Sequence, residues 1–274
     1  MQFFGYDQNQ PVFAENAIKG RDYRCPECHG LLRIKEGIHR QKHFFHLHSS
    51  YSCRQCRKTN HHLAIQKTIW KSLPHGEALL EKRFPSIQRI ADIAWTCQKI
   101  VFEIQCSPIT LKEVKARNSA YQKLGFWVVW VLHDKRFNRF FLSAAEAFLR
   151  CQSSYFTNID SHGNGIVYDQ VEHLRNHRRL RKGPSLTVYL NKPKSLSIFP
   201  NKLPPFLRKK FDRSRYIFTG DLLDRISYRP EICADYAAFE QPSSQPSFSL
   251  LAVIKLIQSY YRLCLCYLLN KTSF

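Results

Sequence analysis

The chain has 274 residues, of which 44% are hydrophobic and 14% aromatic, so it can bury a sizeable core and wholesale disorder is excluded. Lysine and arginine number 42 against 21 acidic residues, and the resulting net charge of +21 favours a polyanionic partner, most commonly nucleic acid. The alternative is a basic surface that keeps the protein soluble or touches anionic lipid.

Neither an export signal nor a membrane span is predicted. The first residues, MQFFGYDQNQ, lack a basic segment followed by an apolar run. The apolar stretch from Leu250 to Leu269 is interrupted by polar and basic side chains, which predicts an amphipathic helix that packs on the protein. Four of the ten cysteines form Cys-x-x-Cys pairs, which favours bound metal in a reducing cytoplasm over disulfides.

Three regions of different texture predict three domains or segments. Residues 1–58 are rich in Cys and His, residues 59–150 alternate helix and strand signals, and residues 151–274 form a basic region that is predicted to be mainly helical or irregular. In the first region Cys25 pairs with Cys28, and Cys53 pairs with Cys56. Four thiolates meet the tetrahedral demand of Zn²⁺, so we predict a structural zinc module; the alternative is reduced cysteines without metal.

The middle region is predicted to fold as α-β-β-β-α-β. Asn60 can cap a helix that runs to about Leu73, and a capping box at Thr110 opens a second helix that ends at Gly125. A further capping box at Ser143 predicts a third, short helix. Four segments have the composition of strands, and the last is apolar on both faces: 78–84, 90–95, 100–105 and 126–132.

Two acidic residues fall on neighbouring predicted strands. Because side chains alternate along a strand, Glu103 and Gln105 share one face, and a hairpin pairing can bring Asp92 beside Glu103. Two carboxylates on adjacent strands suit Mg²⁺ or Mn²⁺, and such a cation can polarise a phosphate and activate water. The alternative is that nearby cations pair with both acids: Arg89, Lys99 or Arg117.

The last region concentrates positive charge in two runs, at 173–182 and 208–215. Aromatic side chains are interleaved with the second run, and cations combined with aromatics suit single-stranded nucleic acid because bases stack and phosphates pair. The candidate contacts are central cations of the two runs: Arg178, Arg179, Lys209 and Lys210. An ordinary solvated surface is the alternative.

A longer pattern surrounds the two acids. It runs from Arg89-Ile-Ala-Asp-Ile-Ala through Val-Phe-Glu-Ile-Gln-Cys-Ser-Pro-Ile to Arg117, Tyr121 and the strand at 127–132. This pattern closely resembles the competence protein CoiA-like family, which is assigned to the PD-(D/E)XK nuclease superfamily. The resemblance is densest from about residue 25 to 132. It implies a restriction-endonuclease-like α/β core in a cytoplasmic protein that acts on DNA in natural competence, with recombination proteins as partners.

The resemblance also implies roles for individual residues. Asp92 becomes the motif aspartate and Glu103 the second metal-binding acid, while Gln105 stands where the superfamily usually has lysine. Glutamine can orient water by hydrogen bonding but brings no positive charge. Glu81 is the candidate third acid, and Glu77, on the same strand face by parity, is its rival.

Further assignments leave alternatives open. Arg117 and Tyr121 lie four residues apart on one helix face and are candidates to hold a phosphate, although Arg117 can instead orient Glu103 and Tyr121 can belong to the core. The CoiA-like pattern adds a His-Phe-x-His motif to the zinc region. Cys25 and Cys28 are then ligands in either case, and four side chains compete for the other places: His43, His46, Cys53 and Cys56.

The predicted function is Mg²⁺- or Mn²⁺-dependent hydrolysis of DNA phosphodiesters that processes incoming DNA or promotes its recombination. Its main competitor is a non-enzymatic, DNA-binding recombination accessory that keeps an inactive nuclease fold. A zinc-containing RNA-binding protein is a third, weaker alternative.

Overall fold

The computed structural model of the protein describes residues 1–38, 40–48, 53, 55, 58–170, 172–175, 177–191 and 216–217. Within these ranges the chain is a mixed α/β protein with four sheets and few helices. A five-stranded sheet is built from the N-terminal residues, and a seven-stranded sheet forms the centre of the following region.

The helices and strands have these bounds in chain order: β1 Phe4–Asp7, β2 Gln10–Phe13, β3 Tyr23–Arg24, β4 Leu31–Gly37, β5 Arg40–His46, α1 Asn60–Ser72, β6 Ala78–Leu80, β7 Arg83–Phe84, β8 Arg89–Ile90, β9 Ile93–Trp95, β10 Ile100–Gln105, α2 Leu111–Gln122, β11 Trp127–His133, α3 Ala144–Arg150, β12 Ser154–Thr157, β13 Val167–Asp169, β14 Glu172–Arg175, β15 Arg178–Lys182, β16 Leu186–Thr187 and β17 Tyr216–Ile217. The described residues also include two one-turn 3-10 helices, Ala14–Asn16 and Pro85–Ile87.

The N-terminal sheet has the order β2-β1-β3-β4-β5, and each neighbouring pair is antiparallel. Alternate residues of β4, Leu32 and Ile34, point inward with Phe44 from β5, as the two-residue period of a strand requires. Cys25 and Cys53 are buried in the same apolar cluster. The sheet therefore encloses a small core that contains cysteine side chains.

The seven-stranded sheet has the order β16-β13-β12-β11-β10-β9-β6. Its central strands β10, β11 and β12 run parallel, and the flanking pairs are antiparallel. All six residues of β10 are buried, as expected of a strand covered on both faces. This sheet is therefore the rigid element that carries Glu103 and Gln105.

Helices cover both faces of the large sheet. On one face, Leu63 and Ile69 of α1 pack in the same core as Phe102 of β10. On the other, Val114 of α2 packs with Trp130 of β11, in a core that also includes residues of α3. The three helices begin at side-chain caps, in which a hydroxyl accepts a hydrogen bond from a backbone N–H: Thr59, Thr110 and Ser143.

Several predicted elements are confirmed, and others are corrected. The order α1-β6-β9-β10-α2-β11 agrees with the predicted α-β-β-β-α-β sequence, with the small hairpin β7–β8 inserted. The predicted first strand is interrupted at Glu81, whose φ is +49°, and the predicted second strand is interrupted at Asp92. The two breaks face each other, because the Glu81 N–H donates to the Asp92 carbonyl at 2.9 Å.

The prediction of a mainly helical or irregular region after residue 150 is wrong for residues 154–187. This stretch forms β12 to β16, and three of these strands extend the large sheet. The amphipathic helix predicted between Leu250 and Leu269 lies outside the described residues.

A buried ionic network joins α3 to strands β13, β14 and β15. The Arg150 guanidinium lies 2.8 Å from Asp169 Oδ1 and 2.9 Å from Glu172 Oε2. Arg179 lies 2.6 Å from Glu172 Oε1 and 2.8 Å from Glu146 Oε1. Burial opposes ionisation of Glu172, but the two guanidinium groups outweigh it and lower the pKa of that carboxyl. Since charges without partners are costly in the interior, the network holds these elements in one arrangement.

Candidate functional site

A cleft of about 710 Å³ opens between α1, the start of α2 and the end of β10. Asp92, Glu103 and Gln105 all line it, so the structure brings these three predicted residues together. The cleft also collects cationic and imidazole side chains: Lys58, His61, His62, Arg89, Arg117, His133 and Lys135. Buried carboxylates surrounded by positive charge are therefore the main feature of this cavity.

Asp92 is held in the break between β8 and β9. Its Oδ1 lies 3.0 Å from Lys58 Nζ and 2.9 Å from His62 Nε2, and its Oδ2 accepts a hydrogen bond from the Ile104 N–H at 2.9 Å. Burial opposes ionisation, but His62, Lys58 and the Ile104 amide outweigh it, so the pKa of Asp92 lies well below its usual range. Asp92 is consequently a fixed anion beside the backbone of β10.

Lys58 bridges two of the predicted acids. Its Nζ lies 2.9 Å from Glu81 Oε1 as well as 3.0 Å from Asp92 Oδ1, and its side chain is only 11% exposed. Burial lowers the pKa of Lys58, but the two carboxylates outweigh this effect and hold the pKa above its ordinary value. Lys58 therefore carries its charge in a nearly dry position at the wall of the cleft.

Glu81 and its rival Glu77 lie away from the cleft lining. The second carboxylate oxygen of Glu81 accepts hydrogen bonds from the N–H groups of Phe3 at 3.0 Å and Phe4 at 3.3 Å. Glu77 Oε2 instead accepts from Trp95 Nε1 at 2.8 Å. In this arrangement Glu81 holds Lys58 and the N-terminal strand.

Glu103 is the most deeply buried acid of the cleft, with 2% of its side chain exposed. Arg117 Nη1 lies 2.6 Å from Oε2, and the Tyr121 hydroxyl donates to Oε1 at 2.8 Å. Burial raises the pKa of Glu103, and the nearby charge of Asp92 acts in the same direction against Arg117 and Tyr121. The ion pair with Arg117, one of the predicted alternatives, is thus present.

The same guanidinium is held from a second side. Arg117 Nε donates to Glu113 Oε1 at 2.9 Å, and Arg89 donates to this oxygen at 2.7 Å. Tyr121 is fully buried and belongs to the core below α2 as well as to the cleft wall. Lys99, another of the proposed ion-pair partners, lies over the ring of Phe126 at 5.0 Å.

Gln105 ends strand β10 at the cleft. Its Nε2 donates to the Ser107 carbonyl at 2.7 Å and to the Ser107 hydroxyl at 3.2 Å. The amide nitrogen donates both bonds. The turn that follows β10 therefore fixes the orientation of the whole amide group, including its oxygen. This turn contains the Cys-Ser-Pro part of the sequence pattern, so that part of the pattern helps to orient Gln105.

Lys58 and His62, which both contact Asp92, are among the cleft residues that the sequence interpretation missed. Lys58 directly precedes Thr59, the cap of α1, and His62 lies in the first turn of α1; nothing in their local pattern links them to Asp92. The only signal was the cluster Asn60-His61-His62 at a helix start, which is also compatible with an ordinary surface helix. Their role emerges only when α1 packs across the end of β10.

A second cluster lies in the N-terminal region. The ligand atoms of Cys25, Cys28, His46 and Cys53 all lie within 4.8 Å of one another. Cys25 Sγ is 3.8 Å from Cys53 Sγ, and Cys28 Sγ is 3.3 Å from His46 Nε2. Three sulfurs and one imidazole nitrogen match a tetrahedral Zn²⁺ site. In the part of the chain that the structure describes, no other group of three or more such side chains meets this criterion.

The cluster selects among the contested zinc ligands. It includes His46 and Cys53, whereas His43 lies outside it, with Nδ1 at 2.7 Å from the Gln41 carbonyl. Cys56 lies outside the described residues. The sequence therefore anticipated all four members, although it left open which of the contested residues would complete the set.

The Cys/His cluster is joined to the cleft by short connections. Glu27, within the first Cys-x-x-Cys pair, accepts hydrogen bonds from Cys53 Sγ and the Gln55 N–H, both at 3.3 Å. Arg83, in the hairpin β7–β8, donates to the Pro26 carbonyl. Because Lys58 follows soon after Cys53 in the chain, the two sites share one segment.

The basic residues proposed for nucleic-acid contact separate into different settings. Arg178 is exposed on β15, whereas Arg179 is 2% exposed and belongs to the buried ionic network. Arg179 therefore does not present its guanidinium to a phosphate in this arrangement. Lys209 and Lys210 lie outside the described residues.

The fold is mixed α/β with an acidic and cationic cleft, and one comparison with known families gives a match. Residues 58–173 match the family model of the nuclease-like domain of competence protein CoiA. The matched segment begins at Lys58 and contains the whole acidic cluster, so this part of the chain is similar to the CoiA nuclease-like domain. No curated protein and no solved structure is significantly similar to the chain. No helix in the described ranges is long and apolar enough to cross a membrane.

Proposed function

We propose that the protein is a metal-dependent nuclease that hydrolyses DNA phosphodiesters in the cleft, and that it processes incoming DNA in natural competence. The observation that carries this proposal is the pair of buried carboxylates, Asp92 and Glu103, which open into a cleft lined by cationic side chains within a CoiA nuclease-like domain. Cationic walls suit the phosphates of a DNA strand, and the acids suit a divalent cation.

The donor set fits Mg²⁺ or Mn²⁺. Asp92 and Glu103 offer hard oxygen atoms, and the Ile104 N–H that binds Asp92 ties this carboxylate to the residue next to Glu103. Mg²⁺ in phosphate chemistry is commonly held by one or two carboxylates together with substrate oxygens and water. Bound there, the cation would polarise the phosphate and lower the pKa of a water molecule.

The residues of the chain supply three further functions. Gln105, oriented by its two bonds to Ser107, directs its side-chain oxygen to accept a hydrogen bond from the attacking water. Lys58 supplies the positive charge that glutamine at position 105 lacks, since its ammonium lies at the cleft wall beside Asp92. Arg117 neutralises charge on Glu103 and, being partly exposed, can also bind a phosphate.

Glu81 assists in this proposal through Lys58. Its carboxylate is 2.9 Å from the Lys58 ammonium and is fixed by the N–H groups of Phe3 and Phe4. As the candidate third acid, it therefore acts in this proposal as a positioning residue for the Lys58 ammonium. The strand arrangement is compatible with a restriction-endonuclease-like core, which we retain as part of the proposal.

We further propose that Cys25, Cys28, His46 and Cys53 bind one structural Zn²⁺. The tetrahedral donor set and its place inside a small apolar core support this, because such sites contribute folding free energy. Thiolate ligands survive in a reducing compartment, so we assign the protein to the cytoplasm. Proteins of DNA recombination are the partners that the competence role implies.

A second function is favoured by one specific observation. The charges of Lys58 and Arg117 already balance Asp92 and Glu103, and His62 lies 2.9 Å from Asp92, so the acids have partners without a metal ion. A protein of this kind would bind DNA through the cationic cleft and assist recombination without cleavage. The two proposals differ in whether the carboxylates are required for turnover.

Cleavage assays on the full chain separate them. Labelled single- and double-stranded DNA would be incubated with protein in Mg²⁺ or Mn²⁺, beside Asp92→Ala and Glu103→Ala and their isosteric variants Asp92→Asn and Glu103→Gln. Each substitution should slow cleavage by about a hundredfold or more. Glu77→Gln, an exposed acid away from the cleft, is the matched control and should cleave normally. Cleavage that survives the Asp92 and Glu103 changes, or no cleavage by the wild type, refutes the enzymatic proposal.

A further inference from the structure

Two adjacent phenylalanine rings are exposed in the loop between β11 and α3. Phe140 is 52% exposed and Phe141 is 62% exposed, and their ring centroids lie 4.9 Å apart at an angle of 89°. Burying a phenylalanine side chain normally stabilises a folded protein, so leaving two successive rings exposed gives up that stabilisation. A pair of neighbouring exposed rings is therefore a candidate ligand-binding surface.

The backbone below these rings is held firmly. Phe141 forms an isolated β-bridge with Arg178, and the N–H of Leu142 donates to the His177 carbonyl at 2.9 Å. The N–H of Arg179 donates to the Phe140 carbonyl at 2.8 Å, and the Arg179 side chain is anchored in the buried ionic network. The rings consequently stand on a pre-organised backbone, which reduces the entropic cost of binding.

Cations surround the ring pair. The Arg178 guanidinium lies over the Phe141 ring, 5.2 Å from its centroid, and Arg139 is exposed immediately before Phe140. Lys182, exposed on the same strand as Arg178, donates to the Asn138 carbonyl at 2.6 Å and so lies against this loop. We call the surface formed by Arg139, Phe140, Phe141, Arg178 and Lys182 the aromatic platform.

The aromatic platform is continuous with the cleft. Lys135 lines the cleft, and the Arg139 side chain donates to the Lys135 carbonyl at 2.7 Å. The loop thus leads from the cleft wall to the exposed rings. A strand that leaves the cleft along this loop would meet positive charge first and aromatic faces next.

We propose that the aromatic platform binds an unpaired DNA strand that continues out of the cleft, with bases stacked on Phe140 and Phe141 and phosphates paired with Arg139, Arg178 and Lys182. Aromatic faces accept any base but need the base to be unstacked, so the platform selects single-stranded DNA over duplex. This inference rests on the proposed function only in that the cleft receives DNA. It holds whether or not the cleft cleaves the strand.

The test measures binding of a fluorescent oligothymidylate to the full chain in EDTA, which keeps cleavage from intervening. Base stacking on one aromatic side chain contributes a factor of about 5 to 150 in affinity. Phe140→Ala and Phe141→Ala should each weaken single-strand binding within that range and leave duplex affinity nearly unchanged. Phe141→Tyr should retain the affinity, and Ile18→Ala, a change of a similarly exposed apolar side chain elsewhere, is the matched control.

Salt dependence distinguishes stacking from charge. Because each phosphate contact on a single strand contributes about 0.7 to the slope of log affinity against log salt, Arg178→Gln should reduce that slope by about 0.7. Phe140→Ala and Phe141→Ala should weaken binding without changing the slope. Thermal melting identifies any variant that is misfolded. Because the substituted side chains are exposed, a correctly folded variant should melt close to the wild type.

Three results would overturn the inference. They are single-strand affinity that survives both phenylalanine changes, equal losses for single-strand and duplex DNA, and tighter binding of an RNA strand of the same sequence. The outcome is separable from the nuclease proposal. If the wild type cleaves nothing but the phenylalanine variants lose single-strand binding, catalysis fails and the platform stands. If Asp92→Ala abolishes cleavage while single-strand affinity is unaffected by the phenylalanine changes, the nuclease proposal stands and the platform proposal fails.

Discussion

Replacement of Lys58 by methionine tests the electrostatic arrangement of the cleft. Lys58 Nζ lies 2.9 Å from Glu81 and 3.0 Å from Asp92, and all three side chains are at most 11% exposed. Removing one partner of a buried ion pair costs about 3–5 kcal/mol. Asp92 keeps His62 and a backbone N–H, so we expect the lower end of this range, about 3 kcal/mol.

The destabilisation caused by Lys58→Met should be smaller when a divalent cation is added. A divalent cation held by Asp92 and Glu103 would supply the positive charge that the lysine no longer provides, and a ligand at ten times its dissociation constant stabilises the folded state by about 1.4 kcal/mol. The free energy of unfolding would be measured by urea denaturation with and without MgCl₂. We expect Mg²⁺ to stabilise Lys58→Met more than the wild type, because the lysine no longer competes for Asp92.

The control is Lys71→Met, which removes an exposed lysine from the last turn of α1, the helix that follows Lys58, and should change stability by less than about 0.5 kcal/mol. The reasoning is refuted if Lys58→Met is as stable as Lys71→Met. A Lys58→Met variant that is destabilised but gains nothing from Mg²⁺ would show that Lys58 is a structural cation with no relation to a metal site.

Other predictions concern the zinc cluster, the pH profile and the ionic network. Metal analysis should find about one Zn²⁺ per chain in the wild type and a marked loss in Cys53→Ser. Arg117→Gln removes a cation that lowers the pKa of Glu103, so this pKa should rise further. The acidic limb of the plot of cleavage rate against pH should then move to higher pH. An unmoved limb would exclude Glu103 as the titrating group. Arg150→Met should lower the free energy of unfolding in urea by about 3 kcal/mol, because Asp169 and Glu172 both lose a buried guanidinium partner while Glu172 keeps Arg179; a loss below about 1 kcal/mol would contradict that account.

The local order of the core could be predicted because it depends on short-range patterns. The two-residue period of β10 correctly predicted that Phe102 and Glu103 lie on opposite faces of the sheet. Phe102 packs against α1, and Glu103 faces α2. Hydroxyl caps at Thr110 and Ser143 marked the starts of two helices, because they satisfy exposed backbone N–H groups locally. At α1 the structure uses Thr59 as the cap, one residue before the predicted position.

The contents of the cleft depended on tertiary contacts that no local pattern reveals. Lys58 meets Asp92 only because α1 crosses the sheet, and the breaks at Glu81 and Asp92 replace two continuous strands by paired short ones. The strands after residue 150 were missed because each is only two to five residues long and is stabilised by neighbours and by the buried arginines. Arg179 looked like a surface cation in a basic run, and its burial follows from partners distant in sequence.

Direct measurement of Mn²⁺ binding tests the central claim, that Asp92 and Glu103 hold a divalent cation in the cleft. The zinc-loaded full chain would be titrated with Mn²⁺ and the free ion followed by electron paramagnetic resonance. We predict about one Mn²⁺ per chain for the wild type and for Glu77→Gln, and loss of this binding in the Asp92→Asn, Glu103→Gln double variant. Equal Mn²⁺ binding by the double variant and the wild type, or none by the wild type, would contradict the claim.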